Sequence, residues 1–225
     1  MFIPLKDENP RILIPYVTWS ILAVNILVFV LQKVFAGSDP YFFMKYGATP
    51  FLITGGDLPV GLPYSPIIPF LSIFTSIFIH GGYYHLASNM LFLYVFADNV
   101  ESILGHKKFL IYYLLCGVAA TFAQALIDVE STIPLIGASG AISGMMAGYL
   151  VKYPKAKILT LVFIFPIMLP AFVVVGFWFG SQVLNGMANL NQTGGGVAWF
   201  AHIGGFVAGL VLMFLISRGK FNWRT

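Results

Sequence analysis

The chain has 225 residues, 59% hydrophobic and 9% charged, with twelve basic and eight acidic side chains and a formal charge of +4. Soluble domains carry about a quarter charged residues, so this composition excludes a soluble enzyme, a nucleic-acid-binding domain and a disordered protein, and defines an integral membrane protein. The basic residues lie in short clusters between apolar runs, which suits loops facing an anionic leaflet and not a stripe tracking phosphates. The single cysteine, Cys116, excludes an intramolecular disulfide and a cysteine-based metal cage.

A helix crossing ~30 Å of hydrocarbon needs about 20 apolar residues. Six apolar runs are candidates, at roughly 13–35, 82–104, 108–128, 137–152, 157–180 and 197–217. The expected fold is all-α: a polytopic membrane protein with six transmembrane helices in a single domain, 1–225. The first run follows a polar N-terminus and has no small-residue cleavage site, so it reads as a retained span. The stretch 37–80 is rich in Phe, Tyr, Pro and Ile, and is expected to lie in the membrane interface as an embedded first outer loop. The fourth run is short, because Pro134 and Gly137 disfavour helix before it and Tyr153-Pro154 ends it. A helix starting near Ser139 covers only about 20 Å, so it starts below the outer surface. Non-helical backbone at that depth requires burial in protein or a water-filled cavity, and the cavity is expected to open outward.

Counting Lys and Arg sets the orientation. With the N-terminus inside, Lys6, Arg11, Lys107, Lys108, Lys152, Lys155, Lys157, Arg218, Lys220 and Arg224 are cytoplasmic, leaving Lys33 and Lys45 outside. Both termini are therefore expected in the cytoplasm of a cell with this multi-pass protein in its inner or plasma membrane.

Polar residues within spans are costly and are functional candidates by default. On the second span His85 and Asn89 lie one turn apart on one helix face, with His80 at the loop-to-helix junction; the bland alternative is interhelical hydrogen bonding. On the fourth, Gly137-Ala138-Ser139-Gly140 opens a helix whose Gly140, Gly144 and Gly148 form a ridge for close helix approach, and a lone serine there is usually just a small packing residue. On the sixth, His202 is followed by Gly205 and Gly209, a second such ridge. By the charge count, spans two, four and six run in the same direction, each with its polar group within about two turns of the outer end. A serine within reach of a histidine is the minimal unit of nucleophilic acyl transfer, and His85, Asn89 and a backbone N–H could donate to an oxyanion.

These residues resemble the rhomboid family of intramembrane serine proteases over roughly residues 10 to 217. The motifs are His80-x4-His85-x3-Asn89, Gly-Ala-Ser139-Gly, Ala201-His202-x-x-Gly205-x3-Gly209, and Glu101 followed by Gly105. The resemblance implies a Ser–His dyad, with Ser139 as nucleophile and His202 as general base. His85, Asn89 and backbone amides at Ser139 and Ala138 would line the oxyanion hole. His80, Gly137, Gly140, Gly205, Gly209 and Glu101 would support the site. It further implies transmembrane protein substrates within the lipid bilayer, no cofactor, no metal and no nucleic acid. The fifth span, with Pro166 and Pro170, would act as a lateral gate, and 181–196 as a mobile cap. Four positions depart from the family pattern. Leu71-Ser72 replaces Trp-Arg in the outer loop, Ser143 replaces a Tyr that stacks on the catalytic histidine, and Ala97 replaces a frequent Gly. The alternatives are a non-catalytic relative that binds or escorts transmembrane clients, and a small transporter; against the transporter, the two halves of the chain are dissimilar and charge in the spans is sparse.

Overall fold

The computed structural model describes residues 2–10, 12–37, 39, 41–57, 68–190 and 196–216. Strand β1 (Phe2–Asp7) precedes α1 (Tyr16–Leu31), which runs on through a π-helical turn, Gln32–Ala36. Three short helices follow, α2 (Phe42–Tyr46), α3 (Pro50–Ile53) and α4 (Pro69–Ser76), then α5 (Tyr83–Leu104), α6 (His106–Ile127) and α7 (Ser139–Lys152). Strands β2 (Lys157–Val162) and β3 (Phe165–Pro170) lead into α8 (Ala171–Ala188) and α9 (Trp199–Ile216).

Among the described residues, four segments are long and apolar enough to cross a membrane: Tyr16–Ala36, His106–Ile127, Ala171–Ala188 and Trp199–Ile216. Their outward side chains are apolar, among them Leu27, Phe35, Phe177, Leu184 and Phe214, all exposed. Water does not tolerate so continuous an apolar exterior, and lipid does. Polar groups instead point inward, with Asn25, Gln32, Asn89, Asp98, Asn99, Glu101 and Gln182 buried. The short α7 sits at the centre, buried from Gly140 to Tyr149 and packed by α5, α6, α8 and α9.

Two expectations need correction. The chain is not wholly helical, because β1, β2 and β3 form a three-stranded antiparallel sheet with β2 in the middle. The run 157–180 is not one span either: residues 157–170 are a hairpin and helix begins only at Ala171. Pro166 and Pro170 do not kink a helix but lie on β3, an edge strand, where a missing N–H is tolerated. Four residues apart, they fall on the same side of the strand. Phe2 pairs with Val162 and Asp7 with Ile158, so the extreme N-terminus closes the sheet across a bulge at Pro4–Lys6.

Glu101 explains how α1 starts. Pro15, the N-cap residue, offers no side-chain acceptor. The fully buried Glu101 carboxylate instead accepts from the Val17 N–H (3.0 Å), the Thr18 N–H (2.7 Å) and the Thr18 hydroxyl (2.6 Å), and from His106 Nδ1. A negative charge at free amides of a helix N-terminus is favourable. It ties the first helix to α5 at the sheet end of the bundle. Lys6, Lys107, Lys108, Lys152, Lys155 and Lys157 flank elements at that end, whereas Arg11, Arg218, Lys220 and Arg224 lie outside the described residues.

The loop from Ala36 to His80 is anchored without a Trp-Arg pair. Leu71 is exposed, and Ser72 is buried with its hydroxyl donating to the Pro69 carbonyl (2.5 Å). The anchors lie elsewhere: Thr75 Oγ1 donates to the Tyr46 carbonyl (2.6 Å), Gln32 Nε2 to the His80 carbonyl (2.8 Å), and Ala48 bridges to Leu135. Gln32 opens the π-helical turn, a locally underwound stretch of a kind that often occurs at functional regions.

Candidate active site

Helix α7 starts where the backbone is forced to turn. Gly137 has φ +110°, its N–H donates to the Ser76 carbonyl (2.9 Å), and Ala138 is the N-cap residue. Ser139 is therefore the first helical residue, half-buried, beside backbone amides that have no intrahelical acceptor. Helix α9 is fixed at its own start by Gln124 of α6, whose Oε1 accepts from the Phe200 (3.1 Å) and Ala201 (3.3 Å) amides. The next residue is His202.

The two glycine ridges set the distance between these helices. A methyl group built on Gly205 would overlap the Gly140 carbonyl oxygen, and one on Gly209 would lie 2.6 Å from Gly144 Cα. Backbone thus touches backbone, and the Tyr112 hydroxyl rivets the contact, its one hydrogen shared between the carbonyls of Gly144 (2.8 Å) and Gly209 (2.9 Å). One turn above, Ser139 Oγ lies 2.7 Å from His202 Nε2.

Across from this pair stand His85 and Asn89 on α5. The Gly81 amide donates to His85 Nδ1 (3.3 Å), which leaves the proton on Nε2. That Nε2 faces Gly137: a methyl group built there would be 2.6 Å from it and 3.8 Å from Asn89 Nδ2. Asn89 uses one amide hydrogen on the His85 carbonyl (2.8 Å) and keeps another. Ser139, His202, His85 and Asn89 all line one cavity of about 890 Å³. Two donors, a helix N-terminus and a hydroxyl bonded to an imidazole therefore converge on one space.

His80 is fully buried 5.1 Å from the His85 ring, edge to face, and supports it by packing. Glu101 is elsewhere, about 18 Å along α5 from Asn89 at 1.5 Å per residue; it supports the scaffold, not the cavity. Ser143 turns away and donates to the Gly140 carbonyl (2.6 Å). The rings against His202 come instead from Trp178 on α8 (5.8 Å, tilted 36°) and Trp199 (6.4 Å, edge-on). Residues 181–188, expected in a cap, are the last turns of α8, and 191–195 lie outside the described residues.

Three glutamines were not anticipated: Gln32, Gln124 and Gln182. Each sits in an apolar run, so the rule that singled out the histidines applied to them equally. Gln182 is the most telling, since its Oε1 lies 2.8 Å from His202 Nδ1.

The fold and this cavity define a class: a polytopic helical membrane protein with a hydrogen-bonded Ser–His pair inside its bundle. The sequence profile of the Rhomboid domain matches residues 69–219. The chain is 30% identical to Rhomboid protein 1, mitochondrial, of Saccharomyces cerevisiae over 152 residues, covering 66% of this chain and 42% of that one. It is 32% identical to Rhomboid-like protein 11, chloroplastic, of Arabidopsis thaliana (64% and 51% covered) and 29% identical to the human presenilin-associated rhomboid-like protein, mitochondrial (60% and 35% covered). The chain belongs to the rhomboid family. It spans about a third to a half of the length of these curated relatives.

Proposed function

We propose that this chain is an intramembrane serine endopeptidase, with six spans in one domain, that cleaves transmembrane segments of other proteins. The observation that carries the reading is the 2.7 Å contact between Ser139 Oγ and His202 Nε2 within a bundle of apolar exterior. In the proposed reaction His202 Nε2 takes the hydroxyl proton as Ser139 Oγ attacks the substrate carbonyl carbon. The oxyanion receives hydrogen bonds from His85 Nε2–H, Asn89 Nδ2–H and the amides of Ser139 and Ala138. The imidazolium then protonates the leaving nitrogen as the C–N bond breaks, and water, activated by the same imidazole, hydrolyses the acyl-enzyme. Gly137 leaves space beside His85, while Gly140, Gly205 and Gly209 let the two reacting helices meet. A substrate helix must surrender backbone hydrogen bonds before its carbonyl is open to attack, so cleavage falls near helix-weakening residues.

The proposed placement is a cell membrane with both termini on the cytoplasmic, lysine-rich side. The distribution of charge supports that orientation; the relatives above carry organellar names. Fluorophosphonate labelling in mild detergent tests the chemistry without a known substrate. Wild-type protein labels at Ser139, and Ser139→Ala and His202→Ala do not. Folded wild-type protein that resists labelling would instead favour a relative that binds transmembrane clients without cutting them.

A further inference from the structure

A general base that accepts at Nε2 must carry its proton on Nδ1, and a neutral imidazole alone does not choose between the two tautomers. Here the choice is built in. Gln182 is buried on α8, and its Nε2 donates to the Trp178 carbonyl (3.1 Å) and to Ser181 Oγ (3.0 Å). The Trp178 carbonyl can only accept, so the amide nitrogen is committed to that side and Oε1 is turned toward His202 Nδ1, 2.8 Å away. The glutamine flip is thereby fixed by its own partners, and the imidazole tautomer follows from the flip. Trp178, one turn earlier on α8, holds the ring plane from the side.

We propose that Gln182 is a positioning residue that locks His202 in the Nδ1–H tautomer, an orienting partner that α8 adds to the Ser–His pair. The proposal rests on the Ser–His reading above. Gln182 moves no proton itself; it keeps Nε2 free to accept from Ser139 and stabilises the imidazolium only through its amide dipole. An aspartate in that role would add a full charge, so the neutral glutamine gives a smaller effect. The hydrogen-bonded set thus spans three helices, α7, α8 and α9, so His202 is oriented only while α8 is docked. Around His202, α7 presents Ser139, α6 Gln124, α8 Gln182 and Trp178, and α5 the titratable His85 across the cavity.

The test compares wild type, Gln182→Leu and Gln182→Glu by fluorophosphonate labelling rate against pH, by turnover of a transmembrane reporter peptide, and by thermal unfolding. For metal-bound histidines, loss of the partner that orients the ring costs about 10–100-fold, and the same scale is taken here. Gln182→Leu is expected to lose activity on that scale in labelling and kcat with KM unchanged. Gln182→Glu restores the acceptor and recovers the rate. Its carboxylate also favours the imidazolium, so the pH below which activity fades moves upward. A residue that only glued α8 to α9 would move the unfolding temperature and leave that pH limb where it is. Folded Gln182→Leu that labels at the wild-type rate overturns the proposal, as does Gln182→Glu with an unmoved limb and the rate of the leucine variant. Wild-type protein that fails to label sinks the Ser–His reading instead, so the two failures are separable.

Discussion

The backbone contact between α7 and α9 makes Gly205→Ala a sharp test of how the Ser139–His202 distance is maintained. The new methyl group would meet the Gly140 carbonyl group, with its carbon 2.9 Å away, and Ser143 Oγ at 2.6 Å. Only the serine side chain can rotate; the carbonyl belongs to the buried first turn of α7. Reaching ordinary contact requires the helices to part by at least about 0.5 Å at this level, and more at the carbonyl oxygen. Ser139 and His202 ride on those same turns, so their 2.7 Å bond lengthens with them. Overpacking of this kind costs about 1–3 kcal/mol, and a misplacement of about 1 Å can cost roughly 100-fold in rate. The expected outcome is a lower unfolding temperature and a labelling rate reduced by one to two orders of magnitude. Gly180→Ala is the matched control, since a methyl group there meets nothing within 4 Å. On helix propensity it gains about 0.5–1 kcal/mol and leaves labelling alone. A Gly205→Ala protein with the wild-type labelling rate and stability would refute the claim that glycine contact sets the dyad distance.

Glu101→Gln removes the charge from a carboxylate serving three donors of α1, so it should cost about 2 kcal/mol in thermal unfolding while labelling of the folded protein is unchanged. Asp7, in the sheet, accepts from Asn99 Nδ2 (2.7 Å) and Tyr149 Oη (3.0 Å), yet burial, followed by repulsion from Asp98, raises its pKa above the ordinary 3.8. A raised pKa favours folding while the group is protonated, and that contribution fades as pH climbs through the folded value. Asp7→Asn should therefore gain in melting temperature relative to wild type between pH 4 and pH 8, and a difference independent of pH would refute the assignment. Phe163 turns the β2–β3 hairpin with φ +54° and is exposed, so Phe163→Gly should relieve about 1 kcal/mol of strain, read as a higher unfolding temperature.

Which parts of this molecule were legible in its sequence follows from how local each signal is. The glycine ridges and the His-x3-Asn pair are written at fixed spacing on one helix each, so their faces can be read directly. The start of α7 was equally local, because Pro134 and Gly137 just before it disfavour helix. The hairpin was not legible as such: 157–180 is one apolar run, and an apolar run reads alike for buried strand and buried helix. Its β-branched residues and two prolines were the available warning. Strand β1 had no readable signal, because its partner lies more than 150 residues away in the chain. The glutamines escaped for another reason. Gln32, Gln124 and Gln182 belong to no spaced motif, and each acquires meaning only from a backbone or ring that the fold brings opposite.

That last group carries a consequence for how such a cavity is built inside lipid. Each glutamine offers an acceptor and a donor with no net charge, so it can sit at a depth where a carboxylate would be costly. Gln32 holds the loop carbonyl at His80, Gln124 caps the helix that carries His202, and Gln182 orients the imidazole itself. Buried carboxylates, Glu101 and Asp98, lie instead at the opposite end of α5, near the lysines and the sheet. The bundle thus separates its polar work by depth. Neutral amides organise the cavity, and full carboxylates organise the end where the chain leaves the membrane.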